Sequence, residues 1–386
     1  MDDASAVAPE AAIAGLFEPL RIGEVTLRNR LAFAPCTRQR SNLDGTPNDL
    51  NVEYYRQRAG AGLIVTEGIY PDDMGKGYLF SPGLCTEAHV AGWRRVTDAV
   101  HAEGGAIFAQ IMHVGRLSDP LMLPDNATPI SASAVRPDPT ARHYTVNCPR
   151  PKRPYPTPRA LTETEIYAVV GHYKRCAEMA ARAGFDGVEI HAASGYLPMQ
   201  FLTPNTNLRT DDFGGDIERR ARFLLMCVDA MSEVRGAGRV AVKVSPDWTF
   251  HDVFDDNAVG TYSHVARELS RRGIAYLQVG DFNITGWDVF GTLRPLFDGP
   301  MMSVVGFTRV RAARAVASGA SDFVGLGQAW MANPDLDRRY ANGWALERPK
   351  MQFYYTQGAE GYVDYPRYED SGLTDAVGVD DYPAPI

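Results

Sequence analysis

The sequence predicts a single (β/α)8 barrel of the TIM-barrel class, with an N-terminal hairpin and a long loop inserted after the third strand. Three observations predict it. Eight short apolar runs recur along the chain, each ending in Gly, Pro or polar residues, as strands buried on both faces do. Helical patterns separate the runs, so the alternation is βα throughout. The length of 386 residues suits one enlarged barrel. An open doubly wound sheet is the alternative, but no G-x-G-x-x-G follows an early strand.

The strand runs are 31–35, 63–67, 106–111, 187–191, 240–245, 275–279, 302–306 and 323–327. Helices are expected over 48–59, 87–103, 163–182, 216–234, 257–272 and 308–318, with a short turn at 334–340. The third of these opens with Thr162 and Glu165 at capping-box spacing. The segment near 288–297 is the least regular of the set. Residues 20–27 alternate around Gly23-Glu24 and read as a small hairpin ahead of the first strand. Residues 112–160 form a long Pro-rich excursion, the length of a lid or binding loop. The expected organisation is a disordered tail over 1–15, a catalytic barrel over 16–366 and a C-terminal tail over 367–386.

Composition narrows the function classes. A hydrophobic fraction of 45% and a charged fraction of 22% are those of an ordinary soluble globular protein. The net charge of −8 argues against nucleic acid or an anionic membrane as partner. No run is long and apolar enough to span a bilayer. Cys36, Cys85, Cys148, Cys176 and Cys227 are odd in number, widely spaced and without a CxxC pair. That pattern fits reduced thiols in a cytoplasmic protein, with neither a disulfide framework nor a zinc site. The acidic, Ala-rich start lacks the basic and apolar regions of a signal peptide. The sequence is compatible with a homo-oligomer and does not require one.

In a barrel, function gathers at the C-terminal strand ends, and side chains there alternate between lumen and helices. The inward set is polar. Strand one ends in Pro35, Cys36 and Thr37, strand two in Glu67 and Gly68, and strand three carries Gln110, then His113 and Arg116. On strand four, GVEIH, Glu189 and His191 face inward; on strand five Lys243 and Ser245 do. Strands seven and eight end in Val305-Gly306 and Gly327-Gln328. Taken singly, each has a plainer reading: Cys36 as packing, Lys243 as a partner of Glu189, Gln110 as part of a satisfied polar layer. Other barrel chemistries lack their cues. There is no HExxH or His-x-His for a metal, no G-x-S-x-G elbow, and only Lys243 for a Schiff base.

The run over 184–223, which contains GVEIHAASGY, closely resembles the old yellow enzyme family of FMN-dependent ene-reductases. NRLAFAPCTRQR (29–40), AGLIVTEG (61–68), AQIMHVGR (109–116), ANPDL (332–336) and EGYVDYP (360–366) extend the resemblance from Leu16 to about Pro366. It implies FMN over the barrel rim, NAD(P)H as reductant and an α,β-unsaturated carbonyl as substrate. By position, Tyr196 matches the proton donor, and His191 a donor to the substrate carbonyl. Ser194 stands where the family has a second carbonyl donor, Asn or His. Pro35, Thr37, Gly68 and Gln110 match residues around the flavin ring, and Lys243 replaces an Arg at its pyrimidine edge. Met112 and Tyr355 match positions at the substrate mouth.

The phosphate end departs further. Where the family has Gly-Gly after strand seven, this chain has Val305-Gly306, and a β-branched residue resists φ > 0. Where the family has Gly-Arg after strand eight, this chain has Gly327-Gln328. Loss of one charge-assisted bond of about 1.5–3 kcal/mol weakens a ligand by on the order of 10–100-fold. These departures leave an alternative open: a barrel without FMN, in which Tyr196, His191, Ser194 and Lys243 perform acid–base chemistry as an isomerase or cyclase.

Overall fold

Eight parallel strands close on themselves: β1 (Leu31–Phe33), β2 (Leu63–Val65), β3 (Ile107–Ile111), β4 (Gly187–Ala192), β5 (Val240–Val244), β6 (Tyr276–Gly280), β7 (Met301–Val304) and β8 (Phe323–Leu326). They pair in chain order, and β8 returns to β1 through Leu326 opposite Phe33. The computed structural model describes residues 10–138, 154–372 and 376–381. Each expected strand is present, shortened or shifted by a residue or two at its ends.

The helices on the outside are α1 (Asp49–Gln57), α2 (Glu87–Ala102), α3 (Glu163–Arg182), α4 (Ile217–Arg235), α5 (Ala258–Arg272), α6 (Val289–Leu293), α7 (Arg309–Ala317) and α8 (Leu336–Asn342). Their starts follow local chemistry. The Thr162 hydroxyl accepts from the Glu165 amide at 3.3 Å while Glu165 accepts from the Thr162 amide at 2.8 Å, which satisfies two otherwise orphaned donors. Asn48, Asp216, Asn257 and Thr308 cap α1, α4, α5 and α7 by accepting from first-turn amides, with the reciprocal bond also present at Asn48. The irregular sixth segment is a single α-turn followed by a 3-10 turn, Arg294–Leu296.

Two apolar layers result. Val188, Ile190, Val242 and Val244 face the helices and join the outer core. Leu63, Val65, Ala241, Tyr276, Met302 and Phe323 fill the lumen. The hairpin Leu20–Ile22 and Val25–Leu27 adds Ile22 and Leu27 to that inner cluster. Its turn needs Gly23: φ is 48°, and a Cβ there would fall 2.0 Å from the Gly238 carbonyl oxygen.

The ends are more ordered than the sequence suggests. Residues Glu10–Ala14 form a helix, with Ala12 and Ile13 against the outer core. The expected tail over 1–15 therefore already carries structure by Glu10, because its small apolar residues find a surface to cover; residues 1–9 lie outside the described residues. In the expected C-terminal tail, Ala376–Val377 pairs antiparallel with Leu346–Glu347, and Val377 and Val379 are buried. Of the long loop, Pro120–Met122 and Pro124–Asn126 are 3-10 turns, and Ile130–Ser131 pairs with Arg159–Ala160. The central part of the expected lid, 139–153 with Cys148, lies outside the described residues.

Candidate active site

Parallel register places the rim residues in layers. Gln110 on β3 stands opposite Glu189 on β4. Two residues further on, His191 stands opposite Lys243 on β5, and Lys243 opposite Gln278 on β6. Residues two apart on a strand share a face, so both layers point into the lumen.

Glu189 is the hub of the lower layer and is fully buried. Its Oε1 accepts from Gln110 Nε2 at 2.8 Å, and its Oε2 from the Tyr276 hydroxyl at 2.8 Å. The Gln278 amide nitrogen, turned to donate, lies 2.7 Å from Oε2. Burial pushes the Glu189 carboxyl up to about 7, against the pull of Lys243 and these hydrogen bonds. Lys243 is not its direct partner: among the described residues no carboxylate oxygen lies within ion-pair distance of Nζ. Burial draws the Lys243 ammonium below its ordinary value, with the Glu189 and Cys36 charges opposing.

Above this layer sit His191 and Tyr196. Their rings meet edge to face, with centroids 4.7 Å apart and planes at 88°. Burial, reinforced by Lys243, holds His191 well below its ordinary value, so the imidazole is neutral at physiological pH. Its buried Nδ1 has no hydrogen-bond partner among the described residues. The Tyr196 hydroxyl lies 2.7 Å from that of Tyr78. Burial first, then Tyr78, pushes Tyr196 well above its ordinary value. Tyr196 packs with Met112, Val114, Leu117 and Tyr155, with Tyr78 against them.

Ser194 is held by its backbone. Its φ is 57°, its amide donates to Ser245 Oγ at 3.0 Å, and its carbonyl accepts from His251 Nδ1 at 2.8 Å. Its hydroxyl makes no hydrogen bond among the described residues. The rim loop after β1 is fixed by Glu67, whose Oε2 accepts from the amides of Arg38 at 3.0 Å and Gln39 at 3.1 Å. Arg38 then reaches the Gly361 carbonyl at 2.6 Å, and Arg40 the Tyr354 carbonyl at 3.0 Å. These bonds tie the C-terminal segment, and Tyr355 with it, onto the rim.

A cavity of about 220 Å³ opens beside this group. Its walls are Pro35 and Cys36 after β1, Lys243 and Gln278 on β5 and β6, residues 305–307 after β7 and residues 327–329 after β8. Cys36 also packs at Gly327, where a Cβ would fall 3.0 Å from Sγ.

Comparison with known proteins decides the family. The profile of the NADH:flavin oxidoreductase / NADH oxidase family matches residues 15–347. The chain belongs to this family. A probable flavin mononucleotide-dependent alkene reductase of Leishmania infantum is 38% identical over 91% of this chain and 97% of its own length. The 12-oxophytodienoate reductase 2 of Arabidopsis thaliana is 35% identical over 92% of this chain and 96% of its own. Morphinone reductase in complex with tetrahydroNAD superposes with a TM-score of 0.88 at 40% identity, covering 92% of this chain and 98% of that one. The old yellow enzyme homologue of Zymomonas mobilis gives 0.88 at 34% identity over 91% and 99%.

As a member of this flavin oxidoreductase family, the chain can be tested for its fit to FMN. The cavity fits. Lys243 presents an amine that no acid among the described residues pairs directly, and the two rim loops present backbone at Gly306 and Gly327. Of the eight residues the sequence suggested for the cofactor, Pro35, Lys243, Gly306, Gly327 and Gln328 line this cavity. Thr37, Gly68 and Gln110 stand outside its wall. Gly68 instead faces Met112: a Cβ there would fall 2.4 Å from Sδ. Gln110 commits its amide nitrogen to Glu189, and its amide oxygen makes no hydrogen bond to a described residue.

Contrary to the preference of a β-branched residue, Val305 adopts a positive φ of 83°, followed by Gly306 at 71°. Such backbone costs of order 1–3 kcal/mol and persists only where the surroundings impose it. At the mouth, Met112 is buried beside Tyr196, and Tyr355 stays half exposed. Sequence reasoning did not find Tyr78, Tyr155 or Gln278. Gln278 was legible, because it shares the inward parity of Lys243. Tyr78 and Tyr155 sit in loops, where no periodicity signals an inward side chain.

Proposed function

We propose that this protein uses NAD(P)H to reduce the C=C bond of α,β-unsaturated carbonyl compounds, with FMN held over the rim of β1 and β5–β8. The observation that carries the reading is the His191–Tyr196 pair beside the Lys243 cavity. FMN, when bound, would supply the hydride chemistry that links NAD(P)H to the substrate β-carbon.

The chain's residues do the rest. Neutral His191 donates a hydrogen bond to the carbonyl oxygen, where negative charge develops. Ser194 is the second, shorter donor; a donor lost from such a site costs about 3 kcal/mol of transition-state stabilisation. Tyr196, protonated throughout the physiological range, gives its hydroxyl proton to the α-carbon. Tyr78, in hydrogen-bond contact, is placed to resupply that proton. In this reading Lys243 would face the electron-rich edge of the flavin, Gly306, Gly327 and Gln328 would hold its phosphate, and Pro35 would border its ring, with Thr37, Gly68 and Gln110 beyond the cavity wall on the ring side. Met112 and Tyr355 shape the substrate mouth. An odd number of widely spaced cysteines and a net charge of −8 support a cytoplasmic setting with a small-molecule partner.

The test is the visible spectrum. The purified protein should be yellow, or become so with added FMN, and NAD(P)H should bleach it anaerobically. A colourless protein that does not quench FMN fluorescence refutes the reading and favours acid–base chemistry on the same pair.

A further inference from the structure

In (β/α)8 barrels the loops after strands seven and eight, with the start of a short extra helix, commonly form a phosphate site. All three parts are present here. Residues 305–307 and 327–329 share the cavity wall, and the extra helix is Gln328–Ala332. The side chain that opens this helix is neutral. A phosphate monoester carries nearly two negative charges at neutral pH, and Gln328 cannot match them.

Two arginines on the first turn of α7 lie next to this loop pair. Arg309 is committed: its guanidinium holds Asp380 at 3.0 and 2.9 Å and the Tyr340 carbonyl at 3.1 Å. Arg311 is not. Its Nη1 donates to the Gly306 carbonyl at 2.7 Å. Among the described residues its side chain makes no other hydrogen bond and no ion pair. The Thr308 hydroxyl accepts from its backbone amide at 3.3 Å, which fixes the turn that carries it. A Cβ placed on Gly306 would fall 3.4 Å from Nη1, so the guanidinium stands against the bare face of a cavity-wall residue. One anchored N–H orients the planar fork and leaves its remaining donors free for an anion.

We propose that Arg311 is a cofactor-binding residue, supplying from α7 the charge for the FMN phosphate that Gln328 does not supply from β8. The proposal rests on the flavin reading above and names a residue that reading does not use.

The test compares FMN with riboflavin, which lacks the phosphate, by fluorescence quenching on protein stripped of flavin. Wild type should bind FMN more tightly than riboflavin. Arg311→Gln should lose about 10–100-fold in FMN affinity and keep its riboflavin affinity, which also reports that the variant is folded. Arg311→Lys should retain most of the FMN affinity, and adding Gln328→Arg to Arg311→Gln should restore it. An Arg311→Gln protein that binds FMN as wild type does, or that loses both flavins equally, overturns the proposal. A wild type that binds neither flavin overturns the flavin reading itself.

Discussion

Tyr78→Phe removes one hydroxyl from the pair of phenols at the mouth and leaves the ring that packs beside Tyr196. The contact it breaks is 2.7 Å long and sits among apolar side chains, so water does not readily replace it. A neutral hydrogen bond of this kind is worth about 0.5–1.5 kcal/mol net. If that stabilisation is felt in the proton-transfer step, the rate falls by about 2- to 10-fold. Tyr196→Phe removes the proposed acid and should cost on the order of 10²–10⁴-fold. The assay is anaerobic stopped-flow reoxidation of the reduced flavoprotein by cyclohexenone, run on both single variants and the double variant. Because Tyr78 acts through Tyr196, its loss should have no effect once Tyr196 is Phe. An unchanged rate in Tyr78→Phe, or the same fractional loss in both backgrounds, would refute the reasoning.

Glu189→Ala leaves Gln110 Nε2, the Tyr276 hydroxyl and the Gln278 amide buried without their acceptor. At about 1–3 kcal/mol for each orphaned donor, with partial relief from removing a buried carboxyl, stability should drop by about 3–5 kcal/mol. Urea unfolding measures it, and a loss below about 1 kcal/mol contradicts the hub assignment. A second expectation concerns acid. His191 is held well below its ordinary value by burial and Lys243, so the native state binds fewer protons there than the unfolded chain. The stability it contributes is present above the unfolded value of about 6.5 and is lost as pH falls below it. The decline in melting temperature between about pH 7 and pH 5 should be shallower in His191→Gln than in wild type. Equal slopes would show that His191 titrates normally.

Much of this site could be read before folding was considered. Strand four shows why: Val188, Glu189, Ile190 and His191 alternate in chemistry, and the parity of a strand sends alternate side chains to opposite faces. The same parity made Lys243 inward and left Val242 and Val244 for the helices. The capping pair Thr162 and Glu165 marked the start of α3 by local hydrogen bonding alone. Gly306 and Gly327 were marked by the family resemblance, which places residues without bulk where backbone approaches a ligand.

What escaped were contacts made by loops. Tyr78 meets Tyr196 across more than a hundred residues of chain, and no short-range signal encodes that distance. Val305 was judged on its intrinsic preference, which the closed loop overrides. Nothing in the local sequence separates Arg311 from Arg309; the fold sets Arg311 against Gly306 and draws Arg309, on the same turn, to Asp380.

The sequence by itself determined the barrel and the inward polar layer that includes Glu189 and His191, because strand parity and helix capping act over a few residues and leave a periodic trace; Tyr196 was marked by the family resemblance. Only the tertiary structure decided which inward charge is paired and which is not. Glu189 is hydrogen-bonded by neighbours from β3 and β6, Lys243 lines the cavity without a carboxylate partner among the described residues, and the guanidinium anchored on the Gly306 carbonyl sits on a helix. Pairing depends on distances across the lumen and between loops, and chain order does not carry them.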